Sequence, residues 1–514
     1  MRGPGLRAGY PHLSATVRVA AIAPNRDICP LVRTLPKMET TFADFMARID
    51  FALITSLHII YPPLTIGLSL LIFFSEWRWL RTDQEKWYRL TRFFEKLFII
   101  NFGAGVATGV TMEMAFGILF GPFSTAAGPV FGHMLGFETI TAFMYEAGFV
   151  GLMIFGWHKI GRRMHLFATF NVALASLLSA FWIVAANSWM QSPAGVKMVG
   201  GQFLVGNWLE IIFNPDSMTA IPHMIVACLE LSLFFVAAVS AWQLLKQRNV
   251  AVFAPALRLV LPVMLIVAAG QIWIGDSLGR TVAHEQPAAL AAMEGHFKTD
   301  NPDGSPNTKW NVVMWPNADK SDTVWAFGIP HVLSVLEDHK WVSRVPGLDQ
   351  FKPENRPPVV VPFYSFRVMV AIGFALFGVS AWGLWLLLRG RLANRKISDF
   401  ENRWFLRAVL ASAFLPYLAI WTGWWTREVA RQPWVVYGLM TVHDGRSQLS
   451  AAAEVVWFIG FAIFSFGVLF ATAYFLFKVI AKGPDMETKI PRERDEDHQS
   501  LGTLPPIETA ADAQ

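Results

Sequence analysis

The sequence predicts an all-α integral membrane protein: about nine transmembrane helices in a bundle, with a periplasmic N-terminus and a cytoplasmic C-terminus. Three observations carry this expectation. The 514 residues are 54% hydrophobic and only 16% charged, with 21 Trp, 42 Phe and a mean hydropathy of +0.40, a balance foreign to soluble domains. Apolar runs of about 18 residues or more recur, each long enough to cross a bilayer as a helix. The loops between them alternate between basic and nearly uncharged, as loops on alternate sides do.

The spans fall near 50–75, 95–119, 132–156, 166–190, 219–245, 258–277, 363–388, 404–425 and 452–478. Basic loops follow the odd-numbered ones: "SEWRWLRTDQEKWYRLTRFFEK" the first, "HKIGRRMH" the third, "KQRN" the fifth, "RGRLANRKISDFENR" the seventh and "KVIAKGPDMETKIPRERDED" the ninth. By contrast "GPFSTAAGPVFG" has no charge, and Lys197 is the one positive residue in 191–218. The positive-inside rule puts the basic loops in the cytoplasm, and an odd span number agrees. The net charge of +5 therefore reflects topology rather than nucleic-acid binding. Cys29 and Cys228 make neither a disulfide framework nor a thiolate metal site. Residues 1–40 are basic with short apolar patches, and read as a disordered extension or as lying upstream of a start at Met38 or Met46. Residues 481–514 read as a disordered cytoplasmic tail, leaving helices one to six in 41–277 and seven to nine in 363–480.

Residues 278–362 form one long outer loop. It opens "GRTVAHEQPAALAAMEGHF", too polar and too broken by proline to continue through a bilayer. A connection this long inside a compact bundle usually has a function.

Ionisable residues within spans are costly and mark functional pathways. The first span carries His58, the third Glu138 and Glu146, the fifth His223 and Glu230, the seventh Arg367 beside Met369, and the eighth ends with Glu428 and Arg431. Singly, each has a plain structural explanation: a packed histidine, a core methionine, a snorkelling helix-end charge. Depth makes them informative together. At about 1.5 Å per residue, His58, Glu138, His223, Met369 and Glu428 share one level nearer the outer face. Imidazole with thioether is a common axial pair for a low-spin haem, and imidazole or carboxylate alone can leave a haem position open for a gas. Arg367 suits a propionate or electrostatic support of a reduced centre. No CxxCH occurs, which argues against covalent haem. Glu138 and Glu146 stand roughly 12 Å apart along their helix and about 80° around it, as stations of a proton relay or as two separate interface acids. Ser179 or Asn187 on a neighbouring helix could assist.

The blocks "ARIDFALITSLHIIYPPLTIGLS", "NFGAGVATGVTMEMAFG", "ALASLLSAFWIVAANSWMQSP", "FRVMVAIGF" and "ARQPW", in this order over residues 40–480, resemble subunit I of the cytochrome bd family of quinol oxidases. The short outer loop and "AMEGHF" resemble its cyanide-insensitive branch. The resemblance implies a low-spin haem b on His223 and Met369, with Arg367 close by. It implies a high-spin haem b and a haem d (or a further haem b) served by His58, Glu428 and Glu138, with Trp424 between haems. It makes Glu138 and Glu146, with Ser179, the oxygen-site acids and proton path. In the loop, Gly279, Arg280, Gln286, Pro287 and Glu294 match the quinol-binding motif, Glu294 accepting a quinol proton; Ala289 stands where a lysine is usual, and His284 or His296 could substitute. Implied partners are subunit II, small single-span accessory subunits, ubiquinol or menaquinol, and O2, in the bacterial inner membrane. Two other classes fit the residues less fully. A dihaem electron-transfer cytochrome gives the acids no role, and a proton-coupled transporter would show repeated halves, which are not found.

Overall fold

The computed structural model describes residues 37–317, 322–392 and 400–491; the expectations for residues 1–36, Cys29 and the end of the tail lie outside these. Among the described residues nine helical segments are long and apolar enough to cross a membrane. They are Phe45–Thr82, Glu85–Leu119, Gly121–Phe155, Arg162–Gln191, Ser217–Leu245, Val250–Glu285, Pro353–Leu388, Asn402–Ala430 and Ala451–Lys482. They run past the apolar windows because backbone hydrogen bonding does not stop where hydrocarbon does. The 36-residue sixth segment rises about 54 Å against about 30 Å of hydrocarbon, so Gly279 and Arg280 lie on its helix rather than in a free loop.

Two prolines divide the first span. Pro62 and Pro63 cannot donate to the carbonyls of His58 and Ile59, so one helix ends at His58 and another starts at Tyr61. Asn101 of the second span steadies the break, donating to Tyr61 O and Thr65 Oγ1 at 2.8 Å each. The half before the break packs on the second and ninth spans. The half after it packs among the second, fourth and fifth.

The third span contains two π-helical segments, Gly128–Gly132 and Thr139–Met144. A 3₁₀ turn at Ser412–Phe414 interrupts the eighth. A large apolar core with Trp79, Phe93, Phe253 and Phe405 fills one half of the bundle, and a second core around Phe123, Trp189 and Phe203 fills the other. At the end away from the loop, His165 Nδ1 meets Glu76 Oε1 at 2.7 Å and Thr169 donates to Glu76 Oε2 at 2.6 Å, all three buried. Arg89 there binds the Asp485 and Thr488 carbonyls at 2.9 and 2.8 Å, strapping the chain's end across the bundle.

The long connection is ordered. Gln286 ends the sixth helix, and Pro287 at the next helix's start forfeits an N–H that has no helical partner in any case. The helix Pro287–Glu294 ends at Gly295, whose φ of 60° favours glycine and whose added Cβ would lie 2.8 Å from Met314 Cε. Strands Trp310–Pro316 and Thr323–Ile329 then pair antiparallel. Two smaller hairpins, Val196–Val199 with Gln202–Val205 and Trp434–Val436 with Met440–Thr441, complete the sheet structure of the described residues.

Candidate functional site

The first helix ends at His58, on the wall of a cavity of about 530 Å³ that also receives Glu138, Glu146, Ser179, Trp424 and Glu428. Residues from the first, third, fourth and eighth spans thus converge at one place. Thr108 Oγ1 lies 3.0 Å from the Ala104 carbonyl and 3.0 Å from His58 Nδ1. A hydroxyl has one proton, and here it goes to the carbonyl; Oγ1 then accepts from Nδ1–H, which leaves the Nε2 lone pair for a metal. Trp421 Nε1 and Trp425 Nε1 donate to Ser56 O and Oγ at 2.6 and 3.0 Å, tying the eighth span to the helix that presents His58.

Three carboxylates here are held by the fourth span. Ser179 donates to Glu138 at 2.8 Å, Ser176 to Glu146 at 2.6 Å, and Asn187 Nδ2 to Glu428 at 2.9 Å. The π-helical segment Thr139–Met144 separates the two third-span acids. Its wider turns advance fewer degrees per residue, so both face the cavity instead of standing about 80° apart as a regular helix requires. Glu428 also pairs with Arg431 and lies 3.4 Å from Gln191 Nε2. Arg427 Nε donates to Asn187 Oδ1 at 2.7 Å while its guanidinium grips buried Asp216 in a fork at 3.1 and 2.5 Å. Arg427 thus fixes which way Asn187 points, and with it the carboxylate of Glu428.

His223 and Met369 stand outside this cavity, each against a glycine. A Cβ at Gly275 would approach His223 Cε1 to 3.3 Å, and one at Gly423 would reach Met369 Sδ at 2.9 Å. Gln271 Nε2 is 3.4 Å from His223 Nε2, and the buried Nδ1 has no partner. Coordination would complete that imidazole, so the residues fit the expected metal ligation.

Arg367 points to the loop. It pairs with Glu294 at 2.6 Å, donates to the Asn311 carbonyl at 3.1 and 2.7 Å, and lies over the rings of Phe363 and Trp310. Both members of the pair are largely buried, so the cation beside Met369 and the loop acid form one unit. Gln286, also buried, donates to Gln191 O and Oε1 at 2.7 Å, and Gln191 reaches Glu428. Arg280 pairs instead with Asp276 at 3.1 Å on its own helix, near Gly279. Pro287 starts the short helix. Ala289 packs on Ala430 of the eighth span. His296 is buried against the Val345 carbonyl, where burial lowers its pKa, and His284 is exposed. Nearby, burial and then the charges of Asp338 and Glu294 push Glu337 up to about 7.

Besides Thr108, Arg427 and Asp216, three participants on or beside the cavity escaped the sequence reading. Ser176 lies one helical turn before Ser179, and that i, i+3 spacing was its signal. Glu113, in "VTMEMAFG", is a fourth acid on the cavity wall. Gln191 had no signal, since its partners are distant in sequence.

These residues sit within a chain that matches the family described as cytochrome bd terminal oxidase subunit I over residues 46–484. The chain belongs to that family. It is 33% identical to "Cytochrome bd ubiquinol oxidase subunit 1" of Bacillus subtilis, over 86% of this chain and 94% of that protein. It is 32% identical to "Cytochrome bd-II ubiquinol oxidase subunit 1" of Escherichia coli, over 87% and 98%. The solved bd oxidase from Geobacillus thermodenitrificans superposes with a TM-score of 0.78 at 28% identity, covering 87% of this chain and all of that one. A bd-family subunit I is part of a quinol:oxygen oxidoreductase, and here it is a multi-pass protein of the bacterial inner membrane. Family membership implies haem and a second subunit.

Proposed function

We propose that this chain is the haem-bearing subunit of an oxidase that takes electrons from quinol at its loop end and reduces O2 to water. Its loop end faces the periplasm, and protons for water come from the cytoplasm, so a proton motive force forms without pumping. The observation that carries this reading is the single cavity joining His58, Glu138, Glu146 and Glu428, with a hydrogen-bonded link through Gln191 to Gln286 of the loop.

His223 and Met369 would hold a low-spin haem b. His58, Glu428 and Glu138 would serve a high-spin haem b and a haem d, or a further haem b in its place. When bound, these groups supply one-electron carriers and an open iron for oxygen. Glu294 accepts a proton from the quinol hydroxyl, and Arg367 orients it beside the seventh span. Gln286, with Gly279, Arg280 and Pro287, frames the headgroup, which is ubiquinol or menaquinol. The short loop and its "AMEGHF" ending support a reading in the cyanide-insensitive branch. Subunit II completes the heterodimer, and single-span accessory subunits can join it.

Protons reach the oxygen site along the fourth span. His165, Thr169, Ser176, Ser179 and Asn187 repeat at intervals of three to eight residues, all within about 40° of one line along the helix. They bind in turn Glu76, Glu76, Glu146, Glu138 and Glu428, so acids and hydroxyls alternate from the inner end to the cavity. Trp424 lines the cavity between them.

The deciding measurement is a reduced-minus-oxidised spectrum of the purified complex, with and without carbon monoxide. Low-spin b bands with a second population shifted by carbon monoxide are expected. Low-spin bands alone, unmoved by carbon monoxide, would leave an electron-transfer cytochrome. For the loop, Glu294→Gln is expected to slow quinol oxidation far more than oxidation of an artificial donor; equal loss would remove the loop from the quinol site.

A further inference from the structure

The loop hairpin lies beside the seventh span, not beyond it. Tyr364 Oη donates to the Met314 carbonyl at 2.6 Å, and Arg367 donates to the Asn311 carbonyl. Both donors belong to the helix Val360–Leu388, about 6 and 10 Å below its loop end. That helix is 29 residues, about 43 Å long, against about 30 Å of hydrocarbon. Centred in the bilayer it overshoots by about 6–7 Å at each end. Strand Trp310–Pro316 is therefore held where headgroups meet acyl chains.

Strand alternation sorts the hairpin's side chains into two faces. Met314 turns inward, fully buried beneath Gly295 and Phe363. The opposite face is apolar and open: Val313 is 38% exposed, Trp315 55%, Trp325 54%, Phe327 64% and Ile329 43%. The register pairs Trp315 with Trp325 and Val313 with Phe327 across the strands, so the patch is continuous. Lys298, paired with Asp322 at 2.6 Å, and Lys309 supply cations nearby. Water-facing surfaces rarely leave such a patch bare, whereas tryptophan concentrates at membrane interfaces. At the depth set by Tyr364 and Arg367, this face continues the lipid-facing surface of the seventh span, where Val361 and Val368 are also exposed.

We propose that the two strands of the hairpin are seated in the interfacial layer of the loop-side leaflet, their aromatic face against lipid, beside the buried Arg367–Glu294 pair. This placement rests on the fold and not on the redox reading.

The test uses the whole complex in lipid nanodiscs, with Cys29→Ser removing one background thiol and the second, Cys228, buried in the bundle. Phe327→Cys and, separately, Trp325→Cys carry an environment-sensitive fluorophore, with Asp303→Cys as an exposed loop control. Nitroxide on carbon 5 of the lipid chains is expected to quench both hairpin labels at least twofold more than nitroxide on carbon 12 or aqueous iodide, and iodide to quench the control. Iodide quenching of the hairpin labels without lipid quenching would overturn the proposal in favour of water. Protection from both quenchers would overturn it in favour of a protein cover such as the second subunit.

Discussion

Gly423→Ala tests the proposed haem-ligating role of Met369 through a single methyl group. The added Cβ would lie 2.9 Å from Met369 Sδ, whereas unstrained heavy-atom contacts lie near 3.5–4.0 Å, an overlap of about 0.6–1.1 Å. The eighth and seventh spans pack tightly there, so the flexible thioether is what yields. Overpacking of this size costs about 1–3 kcal/mol. If Met369 ligates the iron as proposed, that would weaken its ligation roughly 5- to 150-fold, at about 1.4 kcal/mol per factor of ten. The purified variant is expected to lose low-spin b absorbance and gain a high-spin population of equal size. Gly275→Ala, whose Cβ would reach His223 Cε1 at 3.3 Å, should show a smaller change. Gly378→Ala, on the seventh span with open space at its Cβ, should show none. A Gly423→Ala protein that melts earlier yet keeps its full low-spin spectrum would refute the assignment, because the clash would then be absorbed by packing alone.

Other outcomes follow from the same geometry. Ser176→Ala removes one hydrogen bond to Glu146, about 1 kcal/mol, and should slow oxygen reduction roughly fivefold with haem content unchanged. Glu146→Gln should slow proton uptake into proteoliposomes much further. Arg427→Met strips buried Asp216 of its partner and should cost about 3–5 kcal/mol, read as thermal stability in detergent. Adding Asp216→Asn should recover most of that stability but not the high-spin haem lost with the orientation of Asn187. Glu337, raised to about 7 from an unperturbed 4.5, adds loop stability that is full below pH 4.5 and lost as pH rises through 7. Glu337→Gln should flatten that dependence and stabilise the loop at pH 8 by about 1–2 kcal/mol after allowance for solvent access, as measured by limited proteolysis.

The span count was legible because apolar length alone reports it. Span ends were not, since helices outrun the hydrocarbon. The first span was expected to run unbroken over 50–75, and its break after His58 emerged only in the structure, where the missing donors of "YPP" account for it. The shared depth of His58, Glu138 and Glu428 was readable from the helix rise, and the cavity gathers them. Azimuth was less readable: the π segment that swings Glu138 and Glu146 together has no signature in "TITAFM". The pairing of Arg367 with Glu294 was also hidden, because their 73-residue separation closes only when the loop folds back on the seventh span. Composition placed an arginine beside Met369, but only tertiary structure shows that it faces the loop acid.

The cavity draws its walls from opposite ends of the chain, and that sets a schedule. His58 and Glu428 are 370 residues apart (428 − 58), and at about 5–20 residues per second their synthesis is separated by roughly 20–70 s. For that interval the first span has no facing wall, and the acids of the third have no enclosed chamber. The cavity wall that carries Trp424 and Glu428 is therefore complete only once the eighth span has joined the bundle.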